Sequence, residues 1–232
     1  MKKIGFIIFA LAIMVGVVFA NFFSWGKAEG KILDFHVNFG GENGSGKMAT
    51  EARDLTDFTS VDVGGVFQVE ITAQKDFAVE VEADDNLLQF VKTEVRNGQL
   101  EISMDKKVST KNPIRIRISA PAIEGLETSG VSNVSVTDLQ NTDFSIDTSG
   151  ASKLKLSGET TNLTVEVSGA SEINAEDLKA VNAEVDASGA SRVNVSVSGK
   201  LRSEASGASS ITYAGTPTVS KKTSGASKVT QR

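Results

Sequence analysis

Few residues of this chain are placed for chemistry. Gly41-Glu42-Asn43-Gly44-Ser45-Gly46-Lys47 has the glycine and lysine spacing of a loop that cradles phosphate with backbone N–H groups. In such loops the next residue is a Ser or Thr whose hydroxyl reaches Mg²⁺; here it is Met48. No strand–helix–strand pattern surrounds the segment, so it reads as a flexible Gly-rich linker. The single histidine, His36, alternates with Phe35, Val37 and Phe39 and has no second ligand beside it, which makes it a strand residue. Asp84-Asp85 and Glu176-Asp177 offer carboxylates of the kind that hold Ca²⁺, without the spacing of its binding loops, and read as solvated turns. Cysteine is absent, which removes disulfides, thiolate metal sites, a thiol nucleophile and the acylated cysteine of a lipoprotein. Paired carboxylates for glycoside cleavage normally work beside sugar-stacking aromatics, and beyond Val91 only Phe144 and Tyr213 are aromatic. The chain therefore reads as non-catalytic, with no cofactor and no metal.

Serine is also a potential nucleophile, and its arrangement is periodic. Ser129-Gly130-Val131-Ser132, Ser149-Gly150-Ala151-Ser152, Ser168-Gly169-Ala170-Ser171, Ser188-Gly189-Ala190-Ser191, Ser206-Gly207-Ala208-Ser209 and Ser224-Gly225-Ala226-Ser227 recur at spacings of 20, 19, 20, 18 and 18. One histidine cannot act as base for six equivalent serines, so these serines are structural. A period of this length fits a solenoid coil of two strands and two turns. The residues between the motifs alternate as strands do: Leu154 and Leu156, then Leu163, Val165 and Val167, then Val181, Ala183 and Val185, then Val193, Val195 and Val197. Second turns fall midway, at Ser157-Gly158, Glu176-Asp177, Ser198-Gly199 and Ala214-Gly215. Gly130, Gly150, Gly169, Gly189, Gly207 and Gly225 then mark repeated corners where φ is positive or the backbone approaches closely. Stacked coils lie about 4.8 Å apart, so the hydroxyls form ladders.

Upstream, strands are expected at Phe58–Val63, Val66–Ala73, Phe77–Ala83, Val91–Val95, Leu100–Met104 and Ile114–Ser119. Asp84-Asp85 is placed to cap one helical turn through Leu87, Leu88 and Phe90, and Asn97-Gly98 is a hairpin turn. At the N-terminus, Lys2 and Lys3 precede an apolar run from Ile4 to Ala20, the pattern of an export signal. Phe22, Phe23 and Trp25 lengthen that run to about the 20 residues that span a bilayer, so the segment is either cleaved or kept as an anchor. The expected organisation is a signal peptide or membrane anchor at 1–25, a Gly-rich linker at 26–54 and one β-solenoid at 55–232. Within the solenoid, 55–120 is a less regular lead-in and 121–232 carries the Ser-Gly-Ala-Ser coils.

"GVFQVEI" at 65–71, "ADDNLLQFVKTEVRNGQLEI" at 83–102, "PIRIRISAP" at 113–121 and the later "SGAS" runs together resemble the putative auto-transporter adhesin, head GIN domain family. The resemblance spans about Phe58 to Lys228. It implies an all-β, right-handed parallel β-helix or solenoid with ~18–20-residue coils, here preceded by an export helix, in an exported bacterial protein. It carries over no catalytic residue. With no long translocator barrel, the chain is expected to be a free or tethered head.

Charge refines the functional reading. From Arg192 onward there are 7 basic residues against one acidic, Glu204, whereas 120–191 carries 12 acidic against 3 basic. Lys221, Lys222 and Lys228 are therefore the candidate interaction tip, for an anionic envelope polymer or for the acidic flank of another copy; the competing reading is that they guard an uncapped strand edge. A net charge of −5 and the lack of aromatics speak against nucleic acid. The expected function is an adhesin-like, non-catalytic module in the periplasm or at the cell surface, showing a repeated polar face to an envelope glycan or protein. The alternative is an envelope scaffold or stress-related component tethered to the inner membrane through residues 1–25, without an external ligand.

Overall fold

The computed structural model describes residues 41–232. The expected export segment at 1–25, the first part of the linker and His36 lie outside the described residues. Period-two alternation decides what forms elsewhere: one side of each strand is apolar, and that side must be buried against another apolar surface.

The described residues begin with β1 (Glu42–Asn43) and β2 (Met48–Arg53). Next, β3 (Ser60–Gly65) and β4 (Gln68–Thr72) make a coil of two arms that turns at Gly65. β5 (Ala78–Asp84), a 3-10 turn (Leu88–Phe90), β6 (Val91–Arg96), β7 (Gln99–Met104), β8 (Val108–Ser109) and β9 (Arg115–Ser119) follow. β10 (Gly125–Gly130) leads into β11 (Asn133–Gly150), β12 (Lys153–Val167), β13 (Glu172–Ala187) and β14 (Arg192–Ala205). Each of these long strands runs through both arms of a coil, and the pairing register shifts near its middle. β15 (Ser210–Ala214), β16 (Thr218–Thr223) and β17 (Lys228–Gln231) complete the element order.

The result is an all-β parallel solenoid. Down one arm, Ile116, Val69, Val134, Leu154, Ile173, Val193, Ile211 and Val229 stack in register and all are buried. Down the other, Leu100, Val61, Leu126, Ile146, Val165 and Val185 do the same. These two columns face each other across a thin core. Burying each such side chain contributes roughly 1.5–3 kcal/mol, so the repeat is held by many equal increments and not by one bulky centre.

Stacking order departs from chain order at one place. The coil made by β7 and β9 lies beneath the earlier coil of β3 and β4, because β7 pairs with β3 and β9 with β4, while β10 and β11 pair on the other side. Antiparallel strands close this end: β6 on β7, β5 on β9, and β2 on β5.

Six upstream strands fall where alternation places them, and Arg96 pairs with Gln99 across the Asn97-Gly98 turn. Two expectations need correction. Residues 41–54 are not a loose linker: β1 pairs with β8, and β2 pairs with β5 from Met48↔Asp84 to Arg53↔Val79. The reason is an open strand edge on β5, which β2 covers with backbone hydrogen bonds. Nor do the Asp84 and Asp85 side chains cap the 3-10 turn, whose N-terminus makes no side-chain cap bond. Both carboxylates are engaged elsewhere, Asp84 by Thr110 and Asn112 and Asp85 by Ser45.

Candidate interaction face

The Ser-Gly-Ala-Ser motifs form the corner between the two arms, and the glycine is imposed twice over. Gly150 has φ +103 and a Cβ there would stand 2.4 Å from the carbonyl oxygen of Gly130 one coil below; Gly169 has φ +90 and meets Gly150 in the same way at 2.3 Å. Gly130, Gly189, Gly207 and Gly225 sit in the same row, and so does Gly65, whose place near the base of the row follows from Gly130↔Gly65 pairing. The second serine of each motif points inward and its hydroxyl is hydrogen-bonded. Ser152 Oγ accepts the Ser132 N–H at 3.2 Å, and Ser171 Oγ accepts the Ser152 N–H at 3.1 Å. In the later coils Ser191 and Ser209 donate instead to the carbonyls of Ser188 (2.9 Å) and Ser206 (2.8 Å). A buried hydroxyl left unpaired would cost about 1–3 kcal/mol, which is why these serines are structural.

The outer side of the second arm carries a second periodic feature. Two residues before each Ser-Gly stands a charged residue, and the parallel register aligns them: Glu101, Asp62, Glu127, Asp147, Glu166, Asp186, Glu204 and finally Lys222. The outer serines Ser129 and Ser149 continue in register beside this row. Together with Ser168, Ser188, Ser206 and Ser224 the row lines an open groove of about 530 Å³ between Asp147 and Lys222. Carboxylates one strand spacing apart repel, since strands lie about 4.8 Å apart. Accordingly partial burial, with Glu127 and Glu101 on either side, pushes the Asp62 carboxyl up from its ordinary value. At the other end the row is neutralised: Lys222 Nζ and Arg202 Nη2 each donate to Glu204 Oε1 at 2.8 Å and hold that carboxyl down. The sequence signal for this row was available, as an acidic residue at a fixed offset from each Ser-Gly.

The structure brings Lys221, Lys222 and Lys228 to one coil but not to one surface. Lys222 ends the outer acidic row, Lys228 extends the outer row of the first arm from Arg192 and Ser210, and Lys221 continues the inward column of Val185 and Ser203. The turn carboxylates are spoken for: Glu176 accepts from Arg232 Nη1 at 2.5 Å and Asp177 lies 3.8 Å from Lys155. Among the described residues no group of three His, Cys, Asp or Glu side chains is placed to hold a metal ion.

The phosphate-loop lookalike holds an anion that the protein supplies itself. Asp84 is buried; its carboxylate accepts from Thr110 Oγ1 at 2.6 Å and Asn112 Nδ2 at 2.6 Å, and from the backbone of Gly46. These bonds hold it below its ordinary value, Thr110 first. A side chain on Gly44 would collide with the Asp84 carboxylate, and Ser45 N donates to Asn86 Oδ1 at 2.9 Å while Ser45 Oγ bonds Asp85. The Gly-rich segment is a clasp across β5 and the loop after β8.

With the coils in place, the family comparison is decisive: the model of the putative auto-transporter adhesin, head GIN domain family matches residues 57–217. The chain belongs to this family. Among solved structures, a putative adhesin from Bacteroides fragilis NCTC 9343 is similar over 83% of this chain and all of its own, with 20% identity and a TM-score of 0.69. A putative adhesin from Parabacteroides distasonis ATCC 8503 covers 82% of this chain and 99% of its own at 16% identity and TM-score 0.48. At these identities the likeness is one of fold. No curated protein matches the chain.

Proposed function

We propose that this head GIN domain protein is an exported cell-envelope interaction module, adhesin-like and non-catalytic, whose carboxylate and serine rows meet a glycan or a protein. The observation that carries this reading is the unbroken register of polar side chains along the second arm. A rigid array of hydroxyls and carboxylates repeating at one strand spacing lets individually weak hydrogen bonds to sugar hydroxyls or to a basic peptide add up. Adhesin membership of the family supports the same class of activity and an envelope location. The face is favoured over the lysine tip because Lys222 is already paired to Glu204 and the three lysines diverge.

The test is binding of the labelled protein to arrayed envelope glycans and to intact cells, against the variant Asp147→Ser/Glu166→Ser/Asp186→Ser. Loss of binding by about tenfold or more is expected, since removing three rungs breaks an additive contact; undiminished binding by the triple variant refutes the reading. Protease shaving of intact cells, with the intact mass of the mature product, separates a surface-exposed head from a protected, full-length scaffold.

A further inference from the structure

We infer that the coil carrying β16 and β17 is a terminator built into the sequence, which prevents a second copy of this chain from stacking on that end of the solenoid. The inference rests on which residues occupy the inward columns. On the second arm the column Leu126, Ile146, Val165, Val185 turns polar at Ser203 and then charged at Lys221. On the first arm the column Ala175, Val195, Tyr213 ends in Gln231. Positions that are apolar and buried through most of the coils below are thus a lysine and an amide in this one, both exposed.

A parallel solenoid leaves two adhesive features at an end: unpaired backbone groups along the edge strands, and the upper surface of its apolar columns. Any strand laid on β16 would bury the Lys221 ammonium, and an unpaired buried charge costs several kcal/mol. A second copy meeting this end offers no relief, because Thr218–Arg232 contains Lys221, Lys222, Lys228 and Arg232 and no Asp or Glu. Two further polar side chains turn back onto the body of the solenoid beneath them. Gln231 Nε2 donates to the Gly215 carbonyl at 2.8 Å, and Arg232 reaches Glu176. The opposite end is finished differently, by antiparallel strands: β6 lies on β7, and β5 followed by β2 lies on β9. Lys221 thereby acquires a role different from that of Lys222, the next residue, on the wet face: one keeps copies apart, the other neutralises the acidic row.

The experiment is sedimentation of the full chain in mild detergent over a range of concentrations, for the wild type and for Lys221→Val/Gln231→Val. Two copies joined by the same end form an isologous pair that closes, so the variant's mass is expected to rise about twofold with concentration while the wild type stays constant. Lys222→Ser, which removes the same charge from the outer face, is expected to behave as wild type. The inference fails if the double variant keeps the wild-type mass throughout, or if Lys222→Ser associates to the same degree. Lys221→Val alone, which adds a valine to a column already holding Val165 and Val185, decides the matter if the double variant loses its β-sheet signal. A wild type that already pairs through Thr218–Thr223, detected by crosslinking, also overturns it.

Discussion

The repeat half and the lead-in half pair buried polar groups by opposite means. From Gly125 onward the inward serines of the corners repeat a few partners coil after coil, either the equivalent serine one coil away, as with Ser132 and Ser152 or Ser152 and Ser171, or a carbonyl three residues back, as with Ser191 and Ser209. In the lead-in the partners are unique: Asp84 with Thr110 and Asn112, 26 and 28 positions away, and Ser45 with Asn86, 41 away. The repeat distributes its stability over interchangeable rungs, each seeing only its neighbours. The lead-in concentrates it in contacts that occur once. The difference teaches that the two halves should fail differently, one rung by rung and the other at a clasp.

The sharpest way to break the comparison is to strike a rung. Gly169→Ala meets both an unfavourable φ and the Gly150 carbonyl at 2.3 Å, so a loss of about 3 kcal/mol or more is expected in urea unfolding. Gly98→Ala, at φ +78 in the lead-in hairpin with open space around it, is expected to cost only about 1 kcal/mol. Equal losses would show that close approach between coils contributes nothing.

A second probe separates the halves by pH. Because the Asp84 carboxyl is lowered in the folded state, its contribution is present above its unfolded value and lost as pH falls through its folded value. Asp84→Asn should therefore flatten the acid limb of thermal unfolding and free β1 and β2 to exchange amide hydrogens, with the coils of β12–β14 unaffected. Faster exchange in β13 would tie the clasp to the repeat and dissolve the distinction.

The smallest effect has the opposite sign. Asp62 is raised, first by burial and then by Glu127 and Glu101, so its ionisation works against folding and the deficit grows as pH rises through its folded value. Asp62→Asn is expected to stabilise the protein at neutral pH by less than about 1 kcal/mol, solvent screening keeping the gain small. The gain should vanish below the carboxylate range, a difference that paired melts at two pH values would read directly.

Periodicity explains what was legible in advance. A solenoid corner must recur wherever the chain turns, so Gly130 to Gly225 and the alternating valines announced the coils and their length. The acidic row carried the same period but alternates Asp with Glu and ends in Lys222, a less uniform signal than Ser-Gly-Ala-Ser. Gly65 escaped because 65 residues separate it from Gly130, where the later spacing is 18 to 20. The clasp had no periodic signal: nothing in Gly44-Ser45-Gly46 says that its anion is Asp84, and the glycines that let a backbone wrap a phosphate serve equally for a carboxylate.

The exchange of order among the first coils bears on how the chain acquires its shape. Delivered N-terminus first, β3 and β4 emerge without either of the layers that will flank them. One arrives with β7 and β9, and the other only with β10 and β11. About sixty residues must accumulate before this layer is enclosed, and closing so long a loop precedes any return from its contacts. Once those three layers have met, every later coil finds its template waiting on the chain just before it. Assembly then runs as a zipper in a single direction, with a slow start and a fast finish.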